Sequence, residues 1–343
     1  MPSTNSTIEN SGLISILMPF KNTEKYLQEC LDSILAQSYT HWELLAINDH
    51  STDGSLEIAK AYARQDSRIR VLSNQGHGII PALRLGYSQA QGTWISRMDS
   101  DDRMTPCKLS ELLKNLIRGG RGSVSTGLVS YFSDQPLGAG YKRYEEWING
   151  ISLAENNLED IYRECVFPSP CWMIHREDLD KCGAFDSDIY PEDYDLCFRF
   201  YREKFKAVSS KHLLHYWRDY AERASRTDPH YQDHQHYQLK VHYFLQLECD
   251  SSSHIVLWSA GKKSKELSKH LIERAIDFTW VCTNEKKIGN KIAGYQIQNY
   301  QMVKNVTNPR ILIPIVGEKY QIMVREFLKS IGLQEHREFF FVY

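Results

Sequence analysis

Three carboxylates fall within four positions at Asp99-Ser100-Asp101-Asp102, directly after Arg97-Met98 and at the close of a strand-like run from Gly92 to Met98. Carboxylate oxygens are the hard ligands that Mg²⁺ and Mn²⁺ prefer, and such ions bridge phosphates to protein through one or two carboxylates. In an open α/β sheet, ligands bind beyond the carboxyl ends of the strands. The cluster therefore points to a metal-held phosphate ester. The competing reading is a solvated acidic turn that caps the helix opened by Thr105-Pro106. A second acidic group, Glu192-Asp193-Tyr194-Asp195, follows a proline-bearing loop and opens a helix. The dipole at a helix start keeps a carboxylate ionised, as a proton acceptor requires, although helix capping competes here too.

The elements that must position these groups alternate. Leu13 to Met18 is an apolar β-type run that stops at Pro19-Phe20-Lys21-Asn22. Tyr26, Leu27, Cys30, Leu31, Ile34 and Leu35 then recur at helical spacing. A second strand, Trp42 to Ile47, ends at Asn48-Asp49-His50-Ser51-Thr52-Asp53-Gly54 before another helix. Ile69 to Leu72 is a short strand, followed by the glycine-bearing loop Asn74-Gln75-Gly76-His77-Gly78. Strands and helices alternate with polar residues gathered at strand ends, the signature of a parallel sheet with one ligand crevice.

At these residues the chain resembles the second family of inverting glycosyltransferases, which have the GT-A fold. The resemblance rests on Pro19 to Asn22 after the first strand, on Asp49, Ser51, Asp53 and Gly54 after the second, on Asp99-Ser100-Asp101, and on Glu192-Asp193-Tyr194-Asp195-Leu196. These four motifs, in order and at family spacing, cover roughly residues 13 to 220. The resemblance implies inverting, metal-dependent transfer of a sugar from a nucleotide-diphosphate donor, with uridine the commonest base, to an acceptor hydroxyl. By position it implies Asp193 as catalytic base and Asp99 and Asp101 as holders of Mn²⁺ or Mg²⁺, with Asp99 also near the ribose-phosphate. Pro19, Lys21, Asn22 and Asp49 would grip the nucleoside, and Arg97 would pair with phosphate. Lys21 stands where many members carry an aromatic residue; it offers its aliphatic stem to the base or its ammonium to the diphosphate. His50 stands where glycine is commonest. Many relatives carry Tyr-Arg-x-His after the last core strand, whereas this chain reads Tyr216-Trp217-Arg218-Asp219, so His212 and His215 are assigned no metal role.

Tyr131, Phe132, Tyr141, Tyr144 and Trp147 make an aromatic-rich region that would either face a sugar acceptor or pack a small subdomain. A helix is expected over Leu158 to Cys165, broken by Pro168-Ser169-Pro170, and another over residues 229–247. His230 and His234 have the spacing of a helical metal pair, but Tyr231 stands where a zinc protease needs its glutamate base, so a solvated face is expected.

A serine-rich hinge, Cys249-Asp250-Ser251-Ser252-Ser253, divides the expected GT-A domain with its helical extension (1–248) from a small Rossmann-like α/β domain (254–343). In the latter, strands over Ile255–Trp258, Phe278–Thr283, Arg310–Val316 and Phe339–Val342 alternate with helices over Lys263–Ala275 and Glu318–Ile331. It resembles modules appended to some bacterial transferases, whose first loop reads Gly-Ala-Gly-x-x-Gly. Here Ser259, Ala260, Gly261 and Ser264 stand there, and two glycines needed beside a pyrophosphate are missing. Docking, either as a homodimer or to a partner, is expected of this module rather than dinucleotide binding.

Composition excludes other classes. The 343 residues carry 41 Lys+Arg against 43 Asp+Glu, which does not suit a nucleic-acid binder. Eight cysteines without Cys-x-x-Cys pairs read as reduced thiols of a cytoplasmic protein, able to sit peripherally at the inner face of the membrane. Met1 to Gly12 is not a signal peptide, and no apolar run reaches the length of a membrane span, which disfavours a processive, exporting synthase. The acceptor is left open among a surface glycan, a lipid-linked glycan and another hydroxyl compound. The rivals to a transferase are a nucleotide-binding scaffold on a worn transferase fold and a nicotinamide-dependent oxidoreductase. The intact acidic motifs oppose the first and the lost glycines oppose the second.

Overall fold

The computed structural model describes residues 11–231 and 233–343. Most of the amino-terminal stretch read for a signal peptide lies outside the described residues. The chain forms two compact units: one reaches to Leu158 and resumes over Val166–Arg223, the other joins Glu159–Cys165 to Ala224–Tyr343. The serine-rich segment 249–253 thus lies inside the second unit, and the division after Leu158 comes at Arg223.

The first unit follows the alternation of its sequence. In order it runs β1 (Ile14–Phe20), α1 (Glu24–Leu35), β2 (Trp42–Asn48), α2 (Ser55–Gln65), β3 (Ile69–Ser73), α3 (Ile79–Gln89), β4 (Trp94–Arg97) and β5 (Arg103–Met104). It continues with α4 (Lys108–Gly119), β6 (Ser123–Phe132), α5 (Ala139–Leu153), β7 (Trp172–His175), α6 (Arg176–Lys181), α7 (Glu192–Arg202) and β8 (Lys206–Arg218). The sheet order is β3-β2-β1-β4-β7-β6-β8-β5. β1, β2, β3 and β4 are mutually parallel, β6 and β8 are parallel to each other, and β7 and β5 run against their neighbours. Every residue of β2 is buried, as expected of a central parallel strand whose two faces are covered. α1 buries Leu27, Cys30, Leu31 and Ile34, one stripe at 3- and 4-residue spacing, each large apolar side chain contributing about 1.5–3 kcal/mol. Strand order reverses between β1 and β4, so the crevice of the sheet opens beyond Phe20 and Arg97.

The second unit holds a short helix α8 (Ala224–Thr227), α9 (Asp233–Leu247), β9 (His254–Trp258), α10 (Lys262–Glu273), β10 (Thr279–Cys282), a hairpin of β11 (Lys291–Ile292) and β12 (Tyr295–Gln296), β13 (Gln298–Asn299), β14 (Pro309–Ile313), α11 (Glu318–Ser330) and β15 (Phe339–Phe341). Its sheet, β13-β10-β9-β14-β15, is parallel throughout. The core packs Val256, Trp258, Ile311, Ile313, Val324 and Phe339 against one another.

Two expectations differ from what forms, and one region had none. The aromatic region, to which no element was assigned, contains a 15-residue helix, α5. Residues 158–160 close a 3₁₀ segment, Asn157–Asp160, and residues 161–165 are mostly turn. Their apolar side chains gain from tertiary packing rather than from a helix face: Tyr162 sits edge-on to Phe340 at 5.2 Å and near Phe244 at 6.0 Å. The helix expected from residue 229 starts as a 3₁₀ turn, Pro229–Tyr231, before α9. All eight cysteines are free thiols, five of them buried.

Candidate active site

The first two strand ends are laced together. Asn22, at positive φ (53°), accepts a hydrogen bond at Oδ1 from the Thr52 amide (2.8 Å), and its own amide donates to Ser51 Oγ (3.2 Å). Pro19 lies within β1 opposite Ile47. Asp49 is buried, and its carboxylate accepts from Asn74 Nδ2 at 2.7 Å and from the Gly78 amide at 3.1 Å to each oxygen. Gly78 has φ +90°, a conformation L side chains rarely adopt, which lets its amide turn onto Asp49. Lys21, mostly exposed, brings Nζ to 3.6 Å from Asp49 Oδ2. His50 also has positive φ (57°), which explains why glycine suits that place; its Nε2 meets the Gly76 carbonyl at 2.7 Å and its ring stacks on His77. One buried carboxylate, one exposed ammonium and a glycine-bearing loop thus border a single mouth.

The acidic motif is tied to several distant parts of the first unit. Asp99 is partly exposed and accepts from Arg97 Nε at 3.1 Å, whereas Asp101 and Asp102 are buried. Asp101 Oδ2 accepts from the Tyr220 hydroxyl at 2.8 Å. Asp102 Oδ1 accepts from the Arg218 amide at 2.7 Å, and Oδ2 lies 3.0 Å from His215 Nε2. Behind it, Lys108 Nζ donates to the Pro170 carbonyl (2.6 Å) and lies 3.2 Å from His215 Nδ1. With the lysine as donor, Nδ1 accepts and Nε2 carries the proton toward Asp102. Burial and the Lys108 charge hold His215 well below the usual imidazole range, consistent with that neutral tautomer.

Burial, and next the adjacent Asp102, push the Asp101 carboxyl up to about 7. Burial raises Asp102 too, and the Arg223 guanidinium opposes both shifts. The end of β4 thus gathers hard oxygen donors whose ionised forms burial disfavours, and a divalent cation bound there would favour those forms. No ready-made cage of three or more His, Cys, Asp or Glu exists among the described residues. Mg²⁺-like ions need none, because they take one or two carboxylates and complete their shell with water and phosphate.

The start of α7 divides three carboxylates between two uses. Glu192 is buried and pairs with Arg97 Nη1 at 2.9 Å. Asp195 is buried and pairs with Arg199 Nε at 2.8 Å, while Arg199 Nη1 also donates to the Cys182 and Ala184 carbonyls. Asp193 is only partly buried; Oδ1 accepts from the Tyr194 amide at 2.8 Å, and no ion pair holds it among the described residues. Arg97 clamps Asp99 with one nitrogen and Glu192 with another, so the residue after Glu192 is carried to the same crevice as the acidic motif. Arg84 fixes the loop ahead of α7, donating to the Phe185 and Asp186 carbonyls at 2.7 and 2.6 Å.

Several of these partners escaped the sequence reading. Lys108, His215, Tyr220 and Arg223 carried no role there, and Asp102 was read only as a member of the acidic cluster, not as the partner of His215 and the Arg218 amide. The run Arg218-Asp219-Tyr220-Ala221-Glu222-Arg223, with a cation at each end, was the available signal. The aromatic region converges with it: Tyr131 stacks on Trp217 at 5.0 Å, Tyr141 lies 5.1 Å from Tyr131, and Arg223 lies 5.1 Å from the Trp217 ring. His230 is exposed and contacts Asp228, and His234 packs against His270.

The sequence profile described as glycosyl transferase family 2 matches residues 15–183. EpsE of Bacillus subtilis, whose glycosyltransferase assignment is itself inferred, is 43% identical over 219 residues, which are 60% of this chain and 73% of that protein. Matches with several other curated glycosyltransferases span about a third of their length. Among solved structures, Staphylococcus aureus TarS 1–349 in complex with UDP-GlcNAc aligns with a TM-score of 0.53 at 15% identity, covering 75% of this chain and 71% of that one. The mannosyltransferase PcManGT from Pyrobaculum calidifontis, in complex with GDP-Man and Mn²⁺, aligns with a TM-score of 0.50 at 18% identity, covering 76% and 68%. At these identities the structural likeness speaks for the fold.

Proposed function

The chain belongs to glycosyltransferase family 2, on a GT-A fold, and from that premise we propose that it transfers a sugar, with inversion, from a nucleotide-diphosphate donor to an acceptor hydroxyl. The observation that carries the residue assignment is the division of labour at α7. Glu192 and Asp195 are neutralised by Arg97 and Arg199, which leaves Asp193 as the carboxylate able to take a proton. Inversion needs one base and no covalent nucleophile, so a single free carboxylate suffices.

Asp99 and Asp101 would hold Mn²⁺ or Mg²⁺. A cation bound there supplies positive charge to the diphosphate as it leaves. Arg97 acts by position, because its guanidinium is already shared between Asp99 and Glu192. Lys21 and Asp49 receive the nucleoside. An exposed donor beside a buried acceptor suits the imide edge of a pyrimidine, where one N–H stands between two carbonyls, and UDP is the donor nucleotide on this reading. TarS is the structural relative that binds UDP-GlcNAc. Asn22 serves the same mouth by bracing the two loops that form it. Binding energy from the nucleotide then orients the anomeric carbon toward Asp193. The acceptor enters past Tyr141, Tyr144 and Trp147, half-buried aromatics that can meet the apolar face of a sugar. Surface-glycan assembly is the setting this proposal fits.

The test is a donor-hydrolysis screen over UDP-, GDP- and dTDP-sugars with and without Mn²⁺, run beside thermal shift. Release of nucleoside diphosphate from a UDP-sugar that stops on chelation, with stabilisation by UDP plus Mn²⁺, is the expected result. Stabilisation without turnover on any donor would favour a nucleotide-binding scaffold instead.

A further inference from the structure

The carboxyl edge of the second sheet gathers exposed apolar side chains beside lysines. Of the eight large apolar residues that stay exposed among the described residues, four fall within eight positions: Val316 (56%), Tyr320 (60%), Ile322 (47%) and Met323 (43%). Tyr320 and Met323 are three apart on α11, and their face continues to the half-buried Phe327. Lys304 Nζ lies 5.6 Å from the centre of the Phe327 ring, and Lys319 stands exposed beside Tyr320.

Parallel pairing places the ends of β9, β10 and β14 at one edge. Lys262 and Lys263, Lys286 and Lys287, and Lys319 therefore all issue from that edge, with Glu285 and Glu318 as the acidic residues of the same loops. Lys287 Nζ donates to the Ala260 carbonyl, which ties two of the loops together. Residues 254–343 hold 14 Lys+Arg against 8 Asp+Glu, whereas the whole chain holds 41 against 43.

We propose that this edge seats on an anionic lipid surface, with Val316, Tyr320 and Met323 entering the headgroup layer while the lysines meet lipid phosphates. An exposed apolar patch rimmed by polar residues marks an interaction surface. Its charge selects the partner. Ten of the fourteen cations are lysines, and lysine is depleted in protein–protein interfaces but favoured at membranes, where its stem lies in the apolar boundary and its ammonium reaches the phosphates. A basic segment gains attraction with every lysine near an anionic surface. The proposal goes beyond the transferase reading and does not rest on it, since lipid binding needs no turnover.

The full chain is sedimented with vesicles of phosphatidylcholine alone and of phosphatidylcholine mixed with phosphatidylglycerol. It should pellet with the mixed vesicles, lose that binding in high salt, and bind the neutral ones weakly. Tyr320→Ser/Met323→Ser and Lys304→Glu/Lys319→Glu should each lower partitioning by about tenfold or more, with unchanged melting temperature and donor hydrolysis in vesicle-free buffer. Absence of binding by the native chain, or binding that neither variant alters, would overturn the proposal. So would a lipid-free dimer in sedimentation equilibrium that Tyr320→Ser/Met323→Ser abolishes, since it would assign the patch to a second copy.

Discussion

Two largely parallel sheets in this chain meet solvent at the carboxyl ends of their strands, and they do so with opposite chemistry. The first sinks Asp49, Asp101 and Asp102 beneath the surface, wiring Asp49 to Asn74 after β3 and Asp101 and Asp102 to Tyr220 and Arg218 at the end of β8. The second places Ser259, Ala260 and Gly261 after its first strand, joins the Ser259 and Ser264 hydroxyls at 2.5 Å, and leaves lysines and Tyr320 outside. The same topology therefore provides a crevice in one case and an exposed rim in the other. What differs is whether the loops bring buried charge. A strand end becomes a reactive site when acids are held out of water, because a bound metal or substrate can then stabilise the charge that burial disfavours.

The sharpest way to break this comparison is at α7. Asp193→Asn should lower turnover by roughly 10²–10⁴-fold with donor affinity nearly unchanged, measured by steady-state kinetics and by titration with nucleoside diphosphate. Normal turnover in that variant beside a dead Glu192→Gln would move the base to Glu192. Its structural counterpart is Arg199→Met, which strands the buried Asp195. Chemical denaturation should register a loss of about 3–5 kcal/mol, as expected when one partner of a buried ion pair is removed. A change below about 1 kcal/mol would place that pair with the weak surface bridges and blur the division of labour argued for the helix.

Asp101→Asn probes the buried charge itself. Donor binding in Mn²⁺ should weaken by at least about 10–100-fold by calorimetry. The metal-free protein should unfold no earlier than the native one, because a neutral amide replaces a carboxylate that burial and Asp102 disfavour. Mn²⁺-dependent binding that survives in the variant would remove Asp101 from the metal site. The smallest expected effect belongs to the second sheet, where calorimetric titration with nicotinamide and flavin dinucleotides should give no saturable heat. Micromolar affinity for either would erase the contrast between the two sheets.

Much of the first unit was legible because its signals are local. Apolar runs such as Trp42 to Ile47 mark buried strands, the spacing from Leu27 to Ile34 marks a helix, and the acidic motifs stand at strand and helix ends where the alternation puts them. Helix α5 was less legible, since its tyrosines and Trp147 suit a sugar platform or a packed subdomain without marking an element. The segment after Leu158 looked helical because apolar residues are dense there, but its burial comes from Phe244 and Phe340, and no local pattern reports partners so far along the chain.

The sequence by itself determined the alternation of strands and helices, the membership in a family and the residue types available for chemistry, since periodicity and motif spacing are properties of neighbouring positions. Tertiary structure decided which of those residues are free. Glu192, Asp193 and Asp195 are chemically near-equivalent in the sequence, and they part only when Arg97 arrives from β4 and Arg199 turns back one helical step. Likewise the carboxyl of Asp101 is raised by its burial and by Asp102 beside it, against the opposing pull of Arg223 and Tyr220 from far along the chain. Electrostatic state is set by distance and burial in space, and neither can be read from order along the chain.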